Sequence, residues 1–180
     1  MPIHQKAPWA EVPGLELNSA AAAELAALIP RIRSGARLPK RAISAPDVLN
    51  EAHAYARPSS FSRGIRLDLP GAKMLLLSGT ASVDEHGATI HAGDFAAQCL
   101  RTCRNLTRLL EVEGADWRDV VRTTCYLRDI ERDYETFNLL RTWFLAQAGC
   151  DPLPASTAIQ ARLCRSDLLV EIEAIAVVPW

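Results

Sequence analysis

Residues 168–178, LLVEIEAIAVV, alternate two by two along their whole length, which constrains them to an extended strand. Leu168, Val170, Ile172, Ala174, Ala176 and Val178 fall on one face, and Leu169, Glu171, Glu173, Ile175 and Val177 on the other. Apolar residues on both faces predict a strand covered on both sides. Yet Glu171 and Glu173 share a face, roughly 7 Å apart by strand geometry. A carboxylate beside Leu169, Ile175 and Val177 is costly unless it is paired or held protonated. Glu171 is therefore either half of an ion pair or an acid–base group whose pKa is tuned by its surroundings.

The rest of the composition narrows the setting. A chain of 180 residues, 49% hydrophobic and 23% charged, is long enough for one domain with a real core. A formal net charge of −1 gives no electrostatic ground for binding nucleic acid or an anionic membrane. No apolar run approaches the roughly 20 residues that span a bilayer. Pro2 and Pro8 with no apolar segment around them do not read as a signal peptide. Five cysteines, an odd number, fit a reducing compartment better than a disulfide framework, and the expected location is cytoplasmic. Cys99 and Cys103 lie one helical turn apart, but His4, His53, His86 and His91 form no ligand-spaced pair. The two cysteines read as buried residues on a helix face, and no metal is expected.

Residues 1–57 read as an N-terminal extension to a domain over 58–180. Ser19 is positioned to cap an alanine-rich helix that Pro30 should end or kink. A basic linker and a second short helix starting near Pro46 follow. Beyond residue 59, two strands flank a turn at Pro70 and Gly71, and a third, short one covers 88–91. Asp94 opens a long helix with Phe95, Cys99, Leu106, Leu109 and Leu110 on one stripe, stopped by Gly114. A strand over 120–129 precedes a helix striped by Tyr134, Phe137, Leu140, Phe144 and Leu145. Two last strands, 156–164 and 168–178, read as a hairpin. The order β-β-(β)-α-β-α-β-β predicts an α+β fold, one sheet with two helices stacked on one face. The other face, carrying Glu171 and Glu173 but also apolar groups, predicts self-association.

Several strings in this order resemble the RidA family, also called YjgF/YER057c/UK114. They are SGTAS at 78–82, the run 93–130, Phe137 and Asn138, PAS at 154–156, and VEIEAIAV at 170–177. The resemblance implies a chorismate-mutase-like fold, a homotrimer built on a central barrel, clefts between subunits, and cofactor-free hydrolysis of reactive imines or enamines to 2-oxo acids. Glu171 matches the family glutamate that handles water and protons, and Asn138 a cleft asparagine. Ser78 and Gly79 match the turn at the cleft. Two positions depart: Ser156 stands where the family has a carboxylate-binding arginine, and Phe61 where it has a tyrosine. Serine supplies neither the charge nor the planar fork of arginine. FSRG at 61–64, SGTAS and CRSDLLVEIE at 164–173 also resemble chorismatases, which hydrolyse an enol ether and are about twice as long.

The expected substrate is a small unsaturated carboxylate: an imine, an enamine or an enol ether. Each needs one carboxyl group that can give and take a proton near neutral pH, and Glu171 is the candidate. The competing reading pairs Glu171 with Arg162 or Arg165 across the expected hairpin. Arg63 and Arg162 are the foremost candidates to replace the missing anion clamp, ahead of Arg122 and Arg128. Ser78, Gly79 and Thr80 offer hydroxyls and backbone N–H groups, whereas Cys164 lacks a histidine to activate it and reads as a cleft residue. A binding or chaperone-like trimer with a degenerate cleft is the non-enzymatic alternative.

Overall fold

The structure, a computed structural model, describes residues 18–32, 38–56 and 58–180. The chain divides into two units, Met1–Pro39 and Lys40–Trp180. In the first, α1 spans Ser19–Ile32, where four successive alanines supply helix propensity. Its cap is Asn18 and not Ser19: Asn18 Oδ1 accepts the N–H of Ala21 at 2.9 Å. The helix continues past Pro30 to Ile32.

The second unit holds six strands in one sheet: β1 (Lys40–Ile43), β2 (Gly64–Leu69), β3 (Ala72–Ala81), β4 (Val120–Leu127), β5 (Ala155–Gln160) and β6 (Val170–Pro179). Their order across the sheet is β1-β2-β3-β6-β4-β5. Helices α2 (Phe95–Glu111) and α3 (Ile130–Gln147) connect β3 to β4 and β4 to β5. The alternating last stretch is thus a central strand, antiparallel to β3 on one side and to β4 on the other.

This overturns the expected terminal hairpin. β5 runs parallel to β4 at the sheet edge, so Arg162 is not brought alongside Glu171 by strand pairing. The parallel arrangement is possible because α3 supplies the crossover between β4 and β5. The segment expected to be a basic linker contains β1, which pairs Lys40 with Leu67 through Ile43 with Gly64. Ile43, Ala45 and Leu49 are fully buried in the core, so the compact unit starts well before residue 58. The short helix expected from Pro46 is a turn followed by a single 3₁₀ turn at Ala52–Ala54. The short strand expected at 88–91 is reduced to one bridge between Val83 and Thr89.

Gly71 adopts φ +80° in the tight β2–β3 turn, a conformation that glycine reaches without Cβ strain. Asp94 caps α2 by accepting the Ala97 N–H at 2.9 Å, as its position predicts. Cys99, Leu106, Leu109 and Leu110 pack against the alternate residues Val170, Ile172, Ala174 and Ala176 of the core. Burial pushes the Cys99 thiol well above its usual range and that of Cys103 up to about 12. In α3, Phe137 and Leu145 are buried while Tyr134 is exposed, so its stripe is narrower than the spacing suggests.

The same face of α2 also buries Gln98 and Asn105. Asn105 Nδ2 donates to the carbonyls of Ala81 and Val83, at 3.1 and 3.0 Å. Gln98 Nε2 donates to Asp167 O at 2.8 Å and His91 O at 3.2 Å, and its Oε1 accepts the Leu169 N–H at 2.8 Å. These amides hold the backbone on either side of the cleft described below. On the opposite sheet face, Met74, Leu76, Ile175 and Val177 are half-buried beside Glu171 and Glu173.

Candidate functional site

The site begins with an irregularity in β3. Its register on β6 passes from Leu77 opposite Ala174 to Thr80 opposite Ile172, so Ser78 and Gly79 together face Glu173. This β-bulge re-aims the backbone beside Glu171. A Cβ built on Gly79 would lie 2.0 Å from Glu171 Oε1. Only glycine leaves room for the carboxyl group where it stands.

Ser78 and Thr80 hold the bulge with their hydroxyls. Ser78 Oγ donates to Ser62 O at 2.7 Å, and Thr80 Oγ1, fully buried, donates to Ser78 O at 2.9 Å. Both hydroxyls are thereby committed to backbone, leaving Gly79 as the residue of the three that lines the recess.

Glu171 borders two adjoining recesses. The larger, about 780 Å³, is lined by Tyr55, Phe61, Arg63, Gly79, Cys164, Arg165 and Glu171, among others. The smaller, about 240 Å³, is lined by Gly79, Tyr126, Arg162, Cys164, Glu171 and Glu173. Burial raises the pKa of Glu171 above the usual carboxylate range; the positive charge of Arg63 pulls it back, and neighbouring Glu173 pushes it up. No ion pair to Glu171 forms among the described residues. Arg165 instead donates to the Gly87 carbonyl and to Thr89 Oγ1.

Arg63 is 6% exposed. Its guanidinium carbon lies 5.2 Å from the Tyr55 ring centroid and 5.3 Å from that of Phe61. Nε donates to Asn50 O at 2.9 Å, and its backbone N–H donates to Glu51 Oε2 at 3.3 Å. Sandwiched by rings and tethered at Nε, the cation is held in place beside the cleft. Of the arginines weighed from the sequence, Arg63 is the buried one at this cleft. Arg162 is exposed, and Arg128 donates to the carbonyls of Leu163, Arg165 and Leu168, securing the loop that leads into β6.

Tyr55 escaped the sequence reading. Its hydroxyl is buried without a hydrogen-bond partner among the described residues, as is Glu51 Oε1. Its ring packs where a Cβ on Gly87 would come within 2.7 Å, and Gly87 has φ +81°. The only signal in the sequence was a tyrosine six residues before Phe61, in a stretch with no periodicity to place it.

Asn138 and Ser156 lie elsewhere. Ser156 pairs with Thr123, whose Oγ1 donates to Ser156 Oγ at 3.0 Å, and Thr123 lies on the helix-covered face. Arg141 Nη1 donates to Ser156 Oγ at 3.0 Å and Nη2 to Asn138 Oδ1 at 2.7 Å. Glu171 faces the other side of the sheet, opposite Tyr126. Within one copy the two clusters are back to back. No group of three or more His, Cys, Asp or Glu suited to a metal occurs among the described residues. No described helix is long and apolar enough to cross a membrane.

Comparison with known proteins places these features in a wider set. The family model for endoribonuclease L-PSP matches residues 52–178. The 2-iminobutanoate/2-iminopropanoate deaminase of Rattus norvegicus is 30% identical over 131 residues, 72% of this chain and 88% of that protein. A chorismatase of Streptomyces rapamycinicus is 33% identical over 143 residues, covering 72% of this chain but 41% of that one. Among solved structures, the YjgF gene product of E. coli superposes with a TM-score of 0.62 at 26% identity, covering 76% of this chain and 98% of that one.

Proposed function

The chain belongs to the endoribonuclease L-PSP (RidA/YjgF) family, and from that premise we propose that it hydrolyses a small reactive imine or enamine carboxylate, with Glu171 as the acid–base group. The observation that carries the reading is the Glu171 carboxyl group: half-buried, unpaired by any described cation at ion-pair distance, and seated over Gly79 at the meeting of two recesses. A carboxyl group whose pKa is raised by burial can exchange protons nearer neutral pH than an exposed one.

An enamine is first protonated at carbon by the neutral carboxyl group, giving an iminium. The resulting carboxylate then takes a proton from water as its oxygen adds to the iminium carbon. Return of that proton to nitrogen expels ammonia as the carbinolamine hydroxyl gives its own proton to the carboxylate, leaving a 2-oxo acid and the neutral carboxyl group. Arg63 supports this sequence by favouring the anionic form of Glu171 between the two proton transfers. The deaminases similar to this chain act on 2-iminobutanoate and 2-iminopropanoate, which are acids of this class. The proposed assembly is a homotrimer, whose subunits would cover the half-buried strip of Met74, Leu76, Ile175 and Val177.

Enol-ether hydrolysis is the second reading. A recess of about 780 Å³ bordered by Arg63, Arg165 and two aromatic rings has room for more than a four-carbon acid, and the chorismatase similarity points the same way. Both substrates ask for protonation of an unsaturated carbon followed by water attack. Parallel assays with 2-aminoacrylate, 2-iminobutanoate and chorismate test the two readings. Turnover of the imines at least tenfold above that of chorismate supports deamination; the reverse supports the enol ether, and an inactive protein with all three removes both.

A further inference from the structure

We infer that Tyr126 and Glu173 are positioning residues of the proposed reaction: with Glu171 they hold the attacking water in the smaller of the two recesses, leaving the larger one to the acid substrate. The inference rests on the proposed function and gives its second reactant a place.

The sheet topology puts the three groups together. Tyr126 on β4 is the cross-strand partner of Glu171 on β6, and Thr124 is that of Glu173. Cross-strand partners share a face, as do residues two apart on one strand, so Tyr126, Glu171 and Glu173 stand on one side of the sheet. All three line the smaller recess, about 240 Å³, together with Gly79, Arg162 and Cys164. On the other flank of β6, the bulge at Ser78 and Gly79 lies opposite Glu173. Gly79 brings no side chain into the recess, so the space between the two acids stays open.

The spacing suits one water molecule. Residues two apart on a strand are roughly 7 Å apart at the backbone. A water between the two carboxyl groups gives one O–H to each through hydrogen bonds of about 2.8 Å and turns its lone pairs outward. As its oxygen bonds to the iminium carbon, one O–H breaks and that proton goes to Glu171, while the C=N π electrons return to nitrogen. Glu173 keeps the other O–H as a hydrogen bond and only orients the water. The phenol pKa of Tyr126 is raised, by desolvation first, then by the charge and hydrogen bond of Glu173 and by the charge of Glu171. Tyr126 therefore keeps its proton and stands as a donor beside the pair of acids.

Charge sorts the two reactants. The larger recess presents the buried cation of Arg63, which favours an anionic substrate. The smaller one presents two carboxyl groups against one exposed arginine, Arg162, which disfavours a further carboxylate and suits a neutral water. Glu171 borders both, so it meets the reacting carbon from one side and the water from the other. The remaining ionisable groups at the two recesses are His86, Cys164 and Arg165, and Arg165 is engaged by Gly87 and Thr89.

The test uses the full chain with two readouts: steady-state kinetics with 2-iminobutanoate across pH, and carbon NMR titration of the glutamate carboxyl groups. Tyr126→Phe keeps the ring and removes the hydroxyl. It should lower kcat at least ~10-fold while KM changes by less than about twofold. It should also raise the pH inflection that belongs to Glu171, because the O–H that screens the Glu173 charge is gone. Glu173→Gln removes the like charge that pushes Glu171 up, so its inflection should fall, with kcat again reduced. A ring that merely packs would leave kcat and the inflection of Tyr126→Phe at wild-type values, and that result overturns the inference. So does a loss confined to KM, or inflections that move the same way in both variants. A wild type idle toward imines defeats the proposed function and the role of the water with it. The NMR titration needs no turnover and tells that failure apart: opposite shifts of the Glu171 carboxyl in the two variants sustain the link among the three groups, and an unmoved carboxyl overturns it.

Discussion

The carboxyl group of Glu171 occupies the space that a side chain on Gly79 would fill, with Oε1 2.0 Å from where that Cβ would stand. The bulge at Ser78 and Gly79 and the glutamate opposite it therefore form one device: the backbone withdraws and the acid moves in. Gly79→Ala should lower kcat by ~10²-fold, since a displacement near 1 Å is enough to misalign a reacting group. Steady-state kinetics would check this, with circular dichroism confirming that the sheet persists.

Glu171→Gln should abolish turnover, a loss of at least ~10²-fold, while leaving the mass of the assembly in solution unchanged. Its stability has a defined sign. Burial raises the folded-state pKa of Glu171, so between the ordinary carboxylate pKa and that raised value the folded chain binds more protons than the unfolded one. Stability therefore falls as pH rises through that window and stays lowered above it. Glutamine carries no such penalty. The variant should melt at a higher temperature than wild type at about pH 8, and the difference should shrink toward about pH 3, as thermal scans across pH would show.

Arg63→Met removes the positive charge that pulls the Glu171 pKa down. The inflection in the pH–rate profile that disappears in Glu171→Gln should then move to higher pH. A stability loss of about 1–3 kcal/mol should accompany it, because Arg63 is buried between Tyr55 and Phe61 and its Nε satisfies the Asn50 carbonyl. Denaturant unfolding measures the second effect independently of activity. An unmoved inflection would show that the two groups do not communicate.

Gln98 ties α2 to the loop that carries Cys164 and Arg165, through two hydrogen bonds to the backbone of Asp167 and Leu169, and makes a third to the His91 carbonyl ahead of the helix. Gln98→Ala should cost about 3 kcal/mol by leaving buried backbone groups without partners. Hydrogen exchange should quicken at the Leu169 amide while the β2–β3 pairing stays protected. Uniform loss of protection would mean that the residue supports the whole core and not this loop.

Tyr55 and Arg141 show where reading the chain stopped. The sequence pointed to a lost tyrosine at Phe61 and a lost arginine at Ser156. Tyr55 lies at the same cleft as Phe61, and Arg141 reaches Ser156 from a helix fifteen residues earlier in the chain. Neither placement has a local signature. Tyr55 sits in an aperiodic stretch, and Arg141 looks like any polar residue on a half-exposed helix.

The alternation in 168–178, the Asp94 cap and the Pro70–Gly71 turn were legible because each depends on residues within a few positions of one another. The same patterns identified Glu171 as an acid among apolar neighbours and, with the family strings, the fold. They did not determine that β6 lies between β3 and β4, that β5 runs parallel at the edge, or that residues 40–43 join the sheet. Strand periodicity says which face a residue takes but not which strand lies beside it. That choice is made by packing and loop closure over the whole chain, and it alone decided that Arg63 meets the Glu171 cleft while Arg141 stands on the far side of the sheet.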